Sequence, residues 1–338
     1  MRFLFALLVS TILAAVAGAA AAWWWLEQPI ALRADVTGDP APEFTIDPGQ
    51  TARAAARRIV AAGADVPAPW LYAWFRLSGR AQAIQAGTYA LSPGLTPRTL
   101  LDRLVRGEQA LRSVTLLEGW TFRDVMAALE ASPHLTQDLQ GLTPEQIMER
   151  LGRPGVHPEG QFFPDTYRVA RRTPVSAVLR LAAQAMDNRL AQAWAQRDPA
   201  TPLRSPHEAL ILASIIEKET GSPADRAMIS GVFSNRLRIG MRLQTDPTII
   251  YGLGEAFDGN LRRSHLETDG PYNTYTRSGL PPTPIAMPGW DSLLAAVRPA
   301  HTRALYFVAR GDGSSHFSET LDEHNQAVRR YILSRRAP

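Results

Sequence analysis

Residues Phe3 to Trp25 form an uninterrupted, uncharged run, FLFALLVSTILAAVAGAAAAWWW, with Arg2 before it and Glu27 just after it. At about 1.5 Å per residue a helix of that length covers roughly 35 Å, enough to cross a hydrocarbon core of about 30 Å. The competing reading is a secretory signal peptide, for which Ala19 to Ala22 offer the small residues a peptidase requires. Two features favour a retained anchor: the run exceeds the usual apolar stretch of about 7–15 residues, and Trp23, Trp24 and Trp25 form an interfacial belt. Because positive charge stays on the cytoplasmic side, the expected topology is an N-terminus inside a single-pass cytoplasmic (inner) membrane helix and the rest of the chain outside, in the periplasm. Either reading exports the chain.

The remaining sequence has enough apolar content to fold: 45% of the 338 residues are hydrophobic, and the length suits roughly two domains. There is no cysteine, which excludes disulfide frameworks, zinc ribbons, iron–sulfur clusters and thiol nucleophiles together. Thirty-six basic residues against 32 acidic ones leave a net charge of only +4, and no Lys/Arg cluster is interleaved with aromatics, so no nucleic-acid partner is expected. Every basic residue but Lys218 is an arginine.

After residues 1–27, a Pro- and Asp-rich stretch without periodicity reads as a stalk over 28–43, entering a folded unit near Phe44. Helical spacing predicts helices over 51–62 and 67–77, and Gly87 to Leu91 reads as a short strand. A further helix is predicted over 97–104, with Thr96 as N-cap and Pro97 at its first position. This β-α-α-β-α unit is assigned to 44–110, and 111–338 to a larger α+β domain. Within the latter, 113–117 is predicted as a strand and 122–196 as helical, interrupted by GVHPEGQFFPDTY. Aromatics beside Glu159 and Asp165 in that loop suit a carbohydrate site; the plainer reading, preferred on the residues alone, is a loop that packs its phenylalanines beneath itself.

The segment PHEALILASIIEKET predicts a helix over 207–219 that ends in two glutamates. Residues two apart differ by about 200° around a helix, so Glu217 and Glu219 cannot share a face. Glu219 follows Ile216, Ile215 and Leu212 along one stripe, and it is therefore the carboxyl expected to be desolvated, with a raised pKa suited to a general acid near neutrality. The alternative is a helix-end carboxylate paired to an arginine, and residue physics alone favours it. A second helix follows from Pro223 and stops at Gly240. Beyond it, Gln244, Thr245 and Asp246 precede an expected strand over 248–251. Tyr272-Asn273-Thr274-Tyr275 and a proline-rich loop at 279–285 add amides and hydroxyls spread out as an extended oligosaccharide groove requires. Strands at 304–309 and 316–318 and a helix over 321–333 close the chain. The histidines here lack the close spacing of a metalloprotease helix and no nucleophile elbow occurs, so neither a metal nor any other cofactor is expected.

Taken together, SIIEKET, FSNRLRIGMRLQTDPTIIYG, YNTYTRSGLPP and the N-terminal run closely resemble the MltG (YceG-like) family of endolytic murein transglycosylases, from about Phe44 to the last helix. The resemblance implies a LysM-like peptidoglycan-binding subdomain followed by an α+β catalytic domain. It implies a lyase (lytic transglycosylase) that cleaves the β-1,4 bond between N-acetylmuramic acid and N-acetylglucosamine and leaves 1,6-anhydro ends. The catalytic glutamate of the E-K-E-T motif falls on Glu219; Gln244, Asp246, Asn273, Tyr275 and Glu159 are the expected substrate-binding or positioning residues. Glycan strands of peptidoglycan are the implied substrate, and peptidoglycan synthases of the same membrane the implied partners, with termination of nascent strands as the role. A non-catalytic, membrane-anchored peptidoglycan-binding scaffold protein is the alternative. In the proline loop this chain carries Thr283 and Met287 where the family typically has Gly and a small polar residue.

Overall fold

The computed structural model describes residues 2–34 and 41–334 and divides the chain into two compact units. The smaller comprises the chain up to Arg112 together with 168–172; the larger comprises 113–167 and the rest from Thr173.

Helix α1 (Arg2–Glu27) opens the smaller unit. Its stretch Leu7–Glu27 is long and apolar enough to cross a membrane, and none of it is buried in protein. At its foot Trp25 meets the edge of Trp70 at 5.8 Å, and Glu27 pairs with Arg98 at 2.6 Å. The unit's sheet is one antiparallel pair, β1 (Glu43–Ile46) with β2 (Gly87–Ala90), in register at Phe44 and Tyr89, whose rings stack. Helices α2 (Ala52–Ala61), α3 (Ala68–Leu77) and α4 (Pro97–Arg106) cover it, burying Ile59, Leu71, Phe75, Leu100, Leu101 and Leu104. The capping chemistry read from sequence is present: Thr96 and Thr99 form a capping box, Pro97 starts α4, and Gly107 ends it at φ +68°.

The stalk expected over 28–43 is different in its described part. Ile30 is buried, its N–H donates to the Leu95 carbonyl at 2.7 Å, and Leu32 bridges to Ala64. A short run without periodicity can still fill one core position, which periodicity cannot reveal. Residues 35–40 of the expected stalk, like Met1, lie outside the described residues.

The chain passes between the units at β3 (Leu111–Thr115) and β5 (Thr166–Ala170). In the larger unit α5 (Phe122–Glu130), β4 (Leu135–Thr136) and α6 (Pro144–Arg150) precede the 155–167 loop, and β6 (Thr173–Pro174) pairs in parallel with β4 before the long α7 (Val175–Ala195). The core is built around α8 (Pro206–Glu219), which is buried from Ala209 to Ile216 without a break. It is flanked by α7, α9 (Pro223–Arg238) and α12 (Trp290–Val297), with Ile229, Phe233, Leu293 and Ala296 packed against it. A helix apolar on all sides belongs inside a core, not on its surface. Between α9 and α12 come α10 (Asp246–Leu253) and α11 (Arg263–Glu267). The strand expected over 248–251 is part of α10: Pro247 at its start and the burial of Thr248 and Ile249 on one side override the β-propensity of Thr-Ile-Ile-Tyr. An antiparallel pair, β7 (Tyr306–Ala309) with β8 (Ser315–Ser318), and α13 (Leu321–Val328) complete the unit.

Candidate active site

Glu219 is the last residue of α8, where the carboxyl faces the negative end of the helix and buried apolar neighbours. Burial pushes it up to about 7, with the charge of Asp246 adding to the rise and the Thr245 hydrogen bond and Arg236 opposing it. The Thr245 hydroxyl donates to Glu219 Oε2 at 2.8 Å. Among the described residues no ion pair reaches this carboxyl. The arginine-paired alternative instead describes Glu217, which lies 3.6 Å from Arg226 with both side chains largely buried, and which accepts the Gly289 N–H at 2.9 Å. The two glutamates do diverge as helical geometry demands. Both are partly buried, just beyond the stretch of α8 that the core surrounds.

Several elements hold Glu219 in place. Lys218 Nζ donates to the Gly119 carbonyl at 3.1 Å, so the last turn of α8 is tied to the loops at 119 and 289. The proline loop crosses α8, with Ile285 N–H donating to Ser214 Oγ and Met287 exchanging hydrogen bonds with Gly119 and Trp120. On the other side, Gln244 adopts φ +48°, a left-handed conformation costly for a residue with a Cβ, and its N–H donates to the Thr274 carbonyl. That turn delivers the buried Thr245 to Glu219.

The expected contact residues fall into three groups. Asp246 and Tyr275 join Glu219: the Tyr275 hydroxyl donates to Asp246 Oδ1 at 2.7 Å, and burial together with these two carboxylates pushes the phenol well up. Gln244 is exposed beside them. Asn273 is a buried clip, its Nδ2 donating to the carbonyls of His265, Leu266 and Thr268 and its Oδ1 accepting from Tyr275 N–H. Glu159 lines a separate cavity that Glu219 does not line. Its carboxyl accepts the Phe122 N–H at 3.0 Å and bonds the Tyr251 hydroxyl, and burial pushes it up to about 7. In the same loop Phe162 and Phe163 are buried, Phe162 stacking on Phe122, as the plainer reading of that loop requires.

Two residues escape sequence reasoning. Thr245 is one of three neighbouring polar residues with nothing in the pattern to single it out. Arg236 lies on α9 among other arginines, yet it is buried, donates to the carbonyls of Leu305, Arg242 and Leu243, and stands over the Tyr306 ring. Its charge acts on Glu219 through a desolvated interior. Only the fold brings these residues from α9, the 244 turn and the 273 loop to one helix end.

The sequence model of the YceG-like family matches residues 44–330, which takes in the smaller unit from Phe44 onward, the larger unit as far as Arg330 and every residue of this site. The chain belongs to the YceG-like family. It is 34% identical over 272 residues to the endolytic murein transglycosylase of Bacillus subtilis, an alignment covering 75% of each chain. It is 26% identical over 293 residues to the endolytic murein transglycosylase of Streptococcus pneumoniae, and spans about half the length of that relative (51%). Among solved structures, a putative YceG-like protein of Listeria monocytogenes is 28% identical, with a TM-score of 0.53 over 84% of this chain and 98% of its own.

Proposed function

We propose that this YceG-like protein is a peptidoglycan lytic transglycosylase that cuts the β-1,4 bond between N-acetylmuramic acid and N-acetylglucosamine, endolytically, with Glu219 as acid and then base. The observation that carries this reading is the Glu219 carboxyl, half-buried at a helix end, hydrogen-bonded to Thr245 and still protonated up to about pH 7. Protonated Glu219 gives its proton to the glycosidic oxygen as the bond to C1 breaks, releasing the N-acetylglucosamine 4-hydroxyl. The carboxylate so formed takes the proton from the muramoyl 6-hydroxyl as that oxygen bonds C1. The ring closes to a 1,6-anhydro end and Glu219 regains its proton. Because the substrate supplies the nucleophile, one carboxyl suffices, unlike the paired carboxylates of most glycoside hydrolases. Asp246 and Tyr275, hydrogen-bonded to each other beside Glu219, hold the sugar at the acid, and the charge of Asp246 adds to the acid's proton affinity. Gln244, exposed on the same turn, contacts the glycan.

The smaller unit is, in this proposal, a LysM-like peptidoglycan-binding subdomain; its two-stranded antiparallel sheet covered by helices supports that reading. Helix α1 is the membrane anchor, with the catalytic unit in the periplasm beside the synthases whose nascent strands it terminates. Full-length protein incubated with purified peptidoglycan is expected to release anhydro-ended fragments resolved by mass spectrometry, and Glu219→Gln to lower their rate by at least about 10²-fold. Reducing ends in place of anhydro ends, or an active Glu219→Gln protein, would overturn the assignment. A scaffold role would instead show as full complementation of a deletion strain by Glu219→Gln.

A further inference from the structure

A cavity of about 640 Å3 opens in the larger unit at the end of α8, lined by Lys218 though not by Glu219, and the reaction above leaves it without a role. It adjoins the site along two elements at once: Lys218, the residue before Glu219, and Pro247, the residue after Asp246, both line it. Its walls are apolar, formed by Phe122, Ile250, Tyr251, Phe257 and Ile285. Gly160, behind the wall at φ +77°, lies so close to Pro284 that a Cβ there would meet it at 2.6 Å, so the loop carrying Glu159 is packed firmly on the proline loop.

The charges on the lining are uneven. Glu159 is consumed internally by the Phe122 N–H and the Tyr251 hydroxyl, leaving Glu145 as the other carboxylate against two cations, Lys218 and Arg123. Lys218 uses one hydrogen of its ammonium on the Gly119 carbonyl. Arg123 is paired with Glu255 at 3.0 Å, but both side chains are mostly solvent-exposed, and such a pair is worth at most about 1 kcal/mol. An incoming carboxylate can therefore compete for this arginine.

The aromatics of this lining could meet a sugar face, but its two cations have no counterpart on N-acetylated sugars, which are neutral. The muramoyl residue carries something else as well: through its lactyl ether it bears a short peptide with small apolar side chains and free carboxylates. We propose that the cavity is the subsite for the stem peptide of the muramoyl residue at Glu219. Its carboxylates meet Lys218 and Arg123, and its alanyl methyl groups lie against Phe122, Ile250 and Phe257. The assignment rests on the murein-cleaving reading and adds a requirement to it, that the enzyme distinguishes peptide-bearing from peptide-free strands.

The test uses full-length Glu219→Gln protein in detergent and two ligands, an anhydromuramoyl disaccharide carrying its tetrapeptide and the same disaccharide after amidase has removed the peptide. The peptide-bearing ligand is expected to bind at least about 10-fold more tightly, equivalent to about 1.4 kcal/mol. Ile250→Trp, which fills the cavity, and Arg123→Ala, which removes a cation from its lining, are each expected to bring that ratio towards one, with thermal melts used to confirm folding. Equal binding of the two ligands, or a ratio unchanged in both variants, would overturn the subsite. Product analysis of the wild-type enzyme separates the two claims. A peptide preference without anhydro ends supports the subsite while rejecting the reaction, and anhydro ends without any preference reject the subsite alone.

Discussion

Burial raises the proton affinity of Glu219, and two of its neighbours, Thr245 and Asp246, adjust it in opposite directions and can each be removed separately. Because a general acid must be protonated, cleavage is expected to fall as pH rises through about 7. Asp246→Asn removes a negative charge that holds the proton on, so the alkaline limb moves to lower pH. Thr245→Val removes the hydrogen bond that favours the carboxylate, so the limb moves up, each by about half a pH unit or more. Limbs that do not move apart in pH–rate profiles of kcat/KM would count against Glu219 as the titrating acid. Stability should report the same group. The carboxyl ordinarily titrates at 4.5 and here near 7, so its contribution is fully present below 4.5 and lost as pH rises through 7. Glu219→Gln abolishes that loss. Between about pH 5 and pH 8 the variant is expected to gain on the wild type by on the order of 3 kcal/mol in denaturant titrations.

At the scale of elements, the end of α8 is held by a buried ion pair and not by exposure to water. Glu217 and Arg226, 7% and 11% exposed, are desolvated together, and Gly289 has no room for a side chain because the Glu118 carboxyl sits where its Cβ would be. Removing the cation alone leaves Glu217 and Glu118 facing each other. Arg226→Met is therefore expected to cost about 3 kcal/mol at about pH 8 and less at about pH 5, because the Glu118 carboxyl, already raised by burial and by the Glu217 charge, loses the arginine that opposes that rise and takes up a proton more readily, as read from unfolding curves at the two pH values. The helices and their caps were legible in the sequence because apolar spacing, Thr/Ser N-caps and Pro at the first turn are local signals; α4 and α8 start where those residues place them. Helix α10 was not legible. Its Thr-Ile-Ile-Tyr core has strand propensity, and its helical state depends on what Thr248 and Ile249 are packed against.

Across the whole molecule, the boundaries of folded units depart from what composition indicates. The chain returns to the smaller unit at 168–172, and on the N-terminal side Ile30 fills its core while Asp65 N–H donates to the Ala31 carbonyl. A soluble protein starting at Gln28 is accordingly expected to melt several degrees above one starting at Phe44, because the shorter chain loses a buried isoleucine and four backbone hydrogen bonds. Equal melting temperatures would return 28–43 to the status of a stalk. For α1, retention in membranes through a carbonate wash with an intact N-terminus is the expected behaviour of an anchor; a mature N-terminus beginning after Ala22 would identify a signal peptide instead.

What the sequence by itself determined is whatever depends on neighbours along the chain: the uncharged run of α1, the capped helices, and the divergence of Glu217 from Glu219 around one helix. It also carried the family motifs, whose extent the family match over 44–330 bears out. Tertiary structure decided the rest, because desolvation and hydrogen bonding are properties of surroundings assembled from distant segments. Thr245 and Arg236 reach Glu219 from outside its helix, Asn273 is drawn into a backbone clip, and Glu159 is carried to a cavity wall. A carboxyl's position in a helix can be counted from its sequence, but its proton affinity depends on which groups the fold places against it.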